Sequence, residues 1–450
     1  MGSSTLTNGS GTTDTLLSST STPILAERRF GGSSIFTRQT ITRSAVTPRR
    51  ALRAPAISLG SQIIGIGQLA LIILRAGTNE ATDAYFYLFN LGMVPISCIV
   101  VGMMYPALLN THKMSRAGLR RIRWITPLVS VAFVAGGSLW LAWHGRLGAG
   151  LLGVAVLSAL NALVQALVWY RAVAAEASGN AFWISGVALP ANVLALTVLI
   201  YPWASPAIAM TAMTGALAAG NLGLLAFLRL RGVGTSVIES APLTSSSPGG
   251  PFWFLSMSSL SYIGQAFLQS LAVLLPPSTV SLLNISYKIV GSVSATFVNA
   301  SMPLLVHQNT DSPRAAQRFL RIVVVVIAAC GMVIAAGTQI VRPELLAPAI
   351  IIAIWLITSS ASAVASRMSY RFLAPNAMGR KMTVIIFVVA MALVSSHAPG
   401  FDLVVLLCAY AAIDGASAVL LLWPLRDRVM SLVLAGALAA LAAGWALNYV

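Results

Sequence analysis

Lys288 stands in the apolar run 280–306, which is otherwise free of charge. A charge at that depth in hydrocarbon costs several kcal/mol unless it faces protein or water. Ser281, Asn284, Lys288, Ser292 and Asn299 recur at helical spacing and form one polar stripe. An ammonium in such a stripe suits an anionic headgroup such as a pyrophosphate, or a structural ion pair across a helix bundle. Asp414 is the other intramembrane charge, with Tyr410 and Ser417 on its face. It suits a coupling proton or cation, or neutralisation of Lys288. Asp83 opens a further apolar run, where its charge favours a helix N-terminus and points to a cap or gate. Uncharged polar faces accompany these residues: Ser61, Gln62, Gly65 and Gln68 in one run, and Ser258, Tyr262, Gln265 and Gln269 in another. Such faces often only glue membrane helices; together they outline a wet cavity. The candidate substrate-binding set is therefore Lys288, Asn284, Gln62, Gln68 and Gln265, with Asp83 and Asp414 as candidate gating or ion-coupling residues.

Enzyme chemistry has no counterpart. There is no phosphate-binding loop, no HExxH, no dinucleotide fingerprint and no GxSxG. His112, His144, His307 and His397 are isolated near loops. Cys98, Cys330 and Cys408 fall in apolar runs without metal-ligand spacing or a disulfide framework. No catalytic residue, metal site or cofactor is expected. Without an ATP site, transport would draw on a proton or sodium gradient or on the membrane potential.

The elements that must position these residues follow from composition. Of 450 residues, 57% are hydrophobic and 9% charged, with mean hydropathy +0.84. No soluble core buries that much apolar side chain, and the long runs do not alternate as barrel strands do. A polytopic helical membrane protein remains. Apolar segments lie at 56–74, 84–109, 124–143, 149–170, 181–203, 207–228, 252–276, 280–306, 322–341, 345–366, 382–398, 403–424 and 429–449. With the N-terminus inside, 24 of the 28 Lys and Arg fall on the inner side, leaving Arg75, Arg146 and Arg342 outside and Lys288 within a span. This is the positive-inside pattern, so the net charge of +17 gives no reason to invoke nucleic acid. Several tryptophans, among them Trp124, Trp143 and Trp423, lie near segment ends as interfacial anchors.

The domain reading is as follows. Residues 1–54 are a Ser/Thr/Gly-rich, basic, disordered cytoplasmic tail whose arginines face anionic lipid headgroups. Residues 55–228 form a six-helix lobe, 229–251 a Ser/Pro/Gly-rich cytoplasmic linker, 252–425 a second six-helix lobe and 426–450 an additional helix. The halves echo each other: Asp83 precedes Pro106 by 23 residues, and Ser281 precedes Pro303 by 22. Two such halves with a site between them are how many transporters are built.

The runs Ser61-Gln62-Ile63-Ile64-Gly65-Ile66, Ala81-Thr82-Asp83-Ala84-Tyr85-Phe86 and Tyr105-Pro106 resemble the opening of the MurJ/MviN lipid II flippases. These belong to the MOP exporter superfamily with the polysaccharide flippases and MATE exporters. Ser278-Thr279-Val280-Ser281, Tyr287-Lys288-Ile289 and Met302-Pro303-Leu304-Leu305 resemble that family's seventh-to-eighth-helix region. The resemblance implies two six-helix lobes around a central cavity, working by alternating access on an undecaprenyl-pyrophosphate-linked saccharide. Where the family pattern places arginines in its first two helices, this chain has Gln62, Gln68 and a neutral stretch from Met93 to Val101. Lys288 stands where the family has arginine, and thirteen spans stand where it has fourteen.

The expectation is an all-α flippase of the bacterial cytoplasmic membrane, N-terminus inside, carrying a polyprenyl-linked cell-envelope precursor from the inner to the outer leaflet. Envelope-synthesis proteins would be its partners. The alternatives are a MATE-like exporter of an amphiphilic small molecule, and a non-transporting scaffold for envelope synthesis. The missing arginines favour an altered substrate or a scaffold, whereas the costly Lys288 and Asp414 disfavour a scaffold.

Overall fold

The computed structural model describes residues 48–109, 114–177, 182–235, 250–294, 314–343, 346–372, 385–386, 388–393, 395–397 and 400–447. Most of the basic tail, residues 236–249 of the expected linker, the later part of 280–306 with Asn299 and Pro303, and parts of 382–398 lie outside the described residues, as does the Ser258 side chain.

Among the described residues the chain is all-α. The apolar runs become α1 (Pro48–Arg75), α2 (Glu80–Pro95), α3 (Arg116–Trp143), α4 (Leu152–Ala177), α5 (Leu189–Ile200), α6 (Pro206–Leu230), α7 (Gly250–Ala272), α8 (Thr279–Ser294), α9 (Arg314–Val341), α10 (Leu346–Phe372), α11 (Leu403–Leu422) and α12 (Arg428–Leu447). Eight helices among the described residues are long and apolar enough to cross a membrane. The chain is a multi-pass membrane protein. Its outer surface agrees: Leu74, Leu139, Val156, Leu230, Val333 and Ile340 are all exposed, as suits a bilayer and not water. Trp143 and Trp423 are exposed at helix ends, as anchors at the interface should be, whereas Trp124, also exposed, lies inside α3.

Local chemistry sets the helix ends. Asn79 caps α2 through a reciprocal capping box with Thr82. Ser115, Ser205 and Asp402 cap α3, α6 and α11. After Pro95, α2 continues as a π-helical stretch, Ile96–Met104, and a last turn, Tyr105–Leu109. The π stretch lies where α2 packs against α7.

Packing follows chain order. Helices α1 to α6 pack on one another, through the α3/α4, α4/α6, α5/α6, α1/α5 and α2/α3 pairs; α8 to α12 do so through α9/α10, α10/α11, α11/α12 and α8/α10. Contact between the groups runs through α7 and α8 against α1, α2 and the π stretch. The first group is knit closely. A methyl added to Gly220 would lie 2.6 Å from the Ala191 Cα, and one on Gly92 would lie 2.8 Å from the Ala162 Cβ. Only glycine permits these helix approaches.

Candidate functional site

The polar stripe on α8 faces the first group of helices. Its level nearest the α8 N-terminus is held by Asp83. Sequence position suggests that Asp83 caps its own helix, but Asn79 does that work. The Asp83 carboxylate instead crosses to the first turn of α8. Ser278 N–H donates to Oδ2 at 2.8 Å; Ser281 N–H and its hydroxyl donate to Oδ1 at 2.7 and 2.5 Å. These amides are the unpaired donors that every helix start leaves open, so the cap of α8 is supplied by the other half of the molecule. Ser278 has φ +85°, a conformation that costs a non-glycine residue of order 1–3 kcal/mol. Its Asp83 bond and a 2.8 Å bond from its hydroxyl to the Thr78 carbonyl hold it there.

Further bonds between the halves gather at the same end. The Tyr87 and Ser270 hydroxyls meet at 2.8 Å. Trp140 Nε1 donates to the Ser270 carbonyl at 3.1 Å, and Arg146 donates to the Leu275 carbonyl at 2.7 Å while pairing with Glu80 at 3.7 Å. Below them Asn90 Nδ2 donates to Asn284 Oδ1. A longer 3.9 Å contact from Cys98 Sγ to the Ser259 carbonyl also crosses the seam. These bonds hold the two groups together at the start of α8.

One turn beyond Asn284 comes Lys288. It is half-buried and faces Gly65 of α1 and Asn192 of α5. A carbon placed as a side chain on Gly65 would lie 3.4 Å from Lys288 Cε, 3.7 Å from Nζ and 3.8 Å from Asn192 Nδ2. The absent side chain of Gly65 thus leaves space bordered by two nitrogen donors. Gln62 is one helical turn away on α1 and half-buried. Lys288 and Asp414 do not pair. The ion pairs among the described residues are Arg146–Glu80 and Arg321–Asp427. Asp414 instead accepts a 3.0 Å bond from Trp355 Nε1, among the stacked rings of Tyr287, Trp355 and Tyr410 inside the second group.

Of the candidates read from the sequence, Asp83, Asn284, Lys288 and Gln62 therefore share one seam. Gln68 does not reach it: it is 1% exposed and its Nε2 meets Met213 Sδ at 3.6 Å within the first group. Gln265 is half-buried on α7, where its backbone carbonyl accepts the Tyr410 hydroxyl at 2.8 Å. Asp414 stands apart with its aromatic partners. Sequence reasoning missed Tyr87, Asn90, Trp140 and Asn192. Arg146 did carry a signal, as one of the few arginines on the outer side of the charge rule.

Comparison of the sequence with protein-family models and with curated proteins finds no match. Comparison of the fold does. The chain superposes on the lipid II flippase MurJ in its inward closed conformation over 88% of its own length and 93% of that chain, with 11% identity and a TM-score of 0.52. A eukaryotic MATE transporter matches over 87% and 97% at 14% identity, TM-score 0.45. A MOP superfamily transporter from Pyrococcus furiosus matches over 87% and 95% at 13% identity, TM-score 0.48. The fold is of the MurJ kind, as the resemblance in the sequence implies.

Proposed function

We propose that this chain is a MOP-type flippase of the bacterial cytoplasmic membrane. It carries a polyprenyl-linked saccharide with an anionic linkage from the inner to the outer leaflet by alternating access. The observation that supports this most directly is the cluster of hydrogen bonds between the halves around the start of α8. Hydrogen bonds between the halves concentrate at residues 78–90, 140–146 and 270–284, and the costly cation Lys288 lies just beneath them. An alternating-access carrier needs one end closed over a central charge site while the other end opens. The positive-inside pattern of the sequence supports an outer position for the latched end. The latch is then the outer gate, and Lys288 anchors the headgroup before release.

The test is a reversible lock. The Ser281 hydroxyl lies 3.0 Å from Thr82 Oγ1, so Thr82→Cys with Ser281→Cys sets two sulfurs within reach of a disulfide. Oxidation should stop transfer of a fluorescent polyprenyl-linked saccharide in proteoliposomes, and reduction should restore it. Undiminished transfer by the fully cross-linked protein would overturn the gate.

A further inference from the structure

We propose that the site at Lys288 takes a headgroup with a single negative charge, a phosphodiester such as a polyprenyl-monophosphate-linked sugar, and disfavours the pyrophosphate-linked form. This rests on the reading of the chain as a flippase for lipid-linked headgroups, and it revises the pyrophosphate suggested by the sequence alone. Charge matching favours a single phosphate. Lys288 is the only basic residue well inside any apolar run of the 450-residue chain. The polar residues Gln62 and Gln68 of α1 carry no charge, and Gln68 is sealed in helix packing.

Among the described residues, those placed beside Lys288 are neutral: Gly65, Asn192 and, one turn away, the Asn90–Asn284 pair. The charged candidates Asp83 and Asp414 are acids and bring no positive charge. Asp83 faces the α8 amides, and Asp414 faces Trp355. A pyrophosphate diester brings two negative charges to this one ammonium, and the second would sit unpaired at membrane depth. A phosphodiester brings one. Lys288 Nζ and Asn192 Nδ2 border the same space beside Gly65, at 3.7 and 3.8 Å from its side-chain position. An ammonium and an amide N–H can thus converge on the oxygens of one phosphate, without the bidentate fork that an arginine would add.

The experiment uses the full-length protein in proteoliposomes and two fluorescent lipids identical in chain and sugar, one joined by a phosphodiester and one by a pyrophosphate. The monophosphate form should bind and cross at least about tenfold better, and Lys288→Met should abolish that advantage. Asn192→Arg adds a second cation at the site and should move preference about tenfold toward the pyrophosphate; Asn192→Lys serves if the arginine variant does not insert. Gly65→Leu should fill the space and lose transfer. Equal handling of the two lipids, or preference for the pyrophosphate, overturns the single-charge inference and leaves the flippase reading standing. Transfer of fluorescent phosphatidylglycerol, but of neither polyprenyl lipid, upholds the charge match and overturns the polyprenyl source. Transfer of none of the three overturns both.

Discussion

Asp83→Asn is the sharpest perturbation of the latch, because it changes charge while keeping shape. In the closed state the carboxylate accepts three bonds, from Ser278 N–H and from the amide and hydroxyl of Ser281. Bonds to a charge contribute about 1.5–3 kcal/mol and neutral ones about 0.5–1.5. An asparagine oxygen can keep both Ser281 bonds, each weaker by about 1 kcal/mol. Its Nδ2 then faces the Ser278 amide, donor against donor, and that bond is lost at a further cost of about 1–3 kcal/mol. The neutral side chain recovers part of this, since a carboxylate only 9% exposed is itself costly to bury. A net loss of about 1–3 kcal/mol remains, which opens the gate roughly ten- to a hundredfold more often. Val280 reports this opening. It is 2% exposed and lines the crevice beside Asp83 and Arg146. In a background with Cys98, Cys330 and Cys408 replaced by alanine, a Val280→Cys reporter should react with an impermeant maleimide from outside ten- to a hundredfold faster when Asp83 is asparagine. A labelling rate within about twofold of the Asp83 parent, at equal membrane abundance, would refute the cap as a latch.

Lys288→Met should abolish transfer at normal abundance, and Asp414→Asn should not rescue it, because Asp414 is held by Trp355 and not by Lys288; recovery in the double variant would restore the ion-pair alternative. Arg321→Ala removes the 2.7 Å partner of Asp427, a carboxylate with no exposed surface at the start of α12. Because the arginine is half exposed, a loss of about 1–2 kcal/mol is expected, visible as a Tm lower by a few degrees in detergent; an unchanged Tm would show that this pair contributes nothing. Ser246→Cys, in the cytoplasmic linker 229–251 expected from the sequence, should resist impermeant maleimide added to intact cells, and efficient labelling would reverse the proposed orientation.

The apolar runs made the helices legible because burial in lipid and backbone satisfaction demand the same thing of a sequence: about twenty uncharged residues in a row. The run at 207–228 and α6 (Pro206–Leu230) differ by no more than two residues at either end. The Ser281, Asn284, Lys288 stripe was legible for a similar reason, since a helix cannot separate residues spaced by three and four. What it faces was not. Asp83 and Ser281 are 198 positions apart, and nothing local says that a carboxylate one turn into α2 will serve a helix in the other half. Asn192 carries no charge and sits in an ordinary apolar helix, so only its placement beside Gly65 distinguishes it. Gln68 misled in the opposite sense: a polar residue on a promising face turned inward to Met213, because neutral side chains can be absorbed by packing where a charge cannot.

The cap borrowed by α8 has a consequence for how the molecule can be watched. A helix whose first-turn amides are satisfied by its own chain keeps them protected in every conformation. The amides of Ser278 and Ser281 are protected by a residue on the opposite side of the seam, so each separation of the halves strips them together. Under the proposed alternating access, their hydrogen–deuterium exchange is then a built-in clock, read without a label or an added cysteine. It should slow when the seam is cross-linked and quicken in Asp83→Asn, while the Asn79-capped start of α2 keeps its own pace.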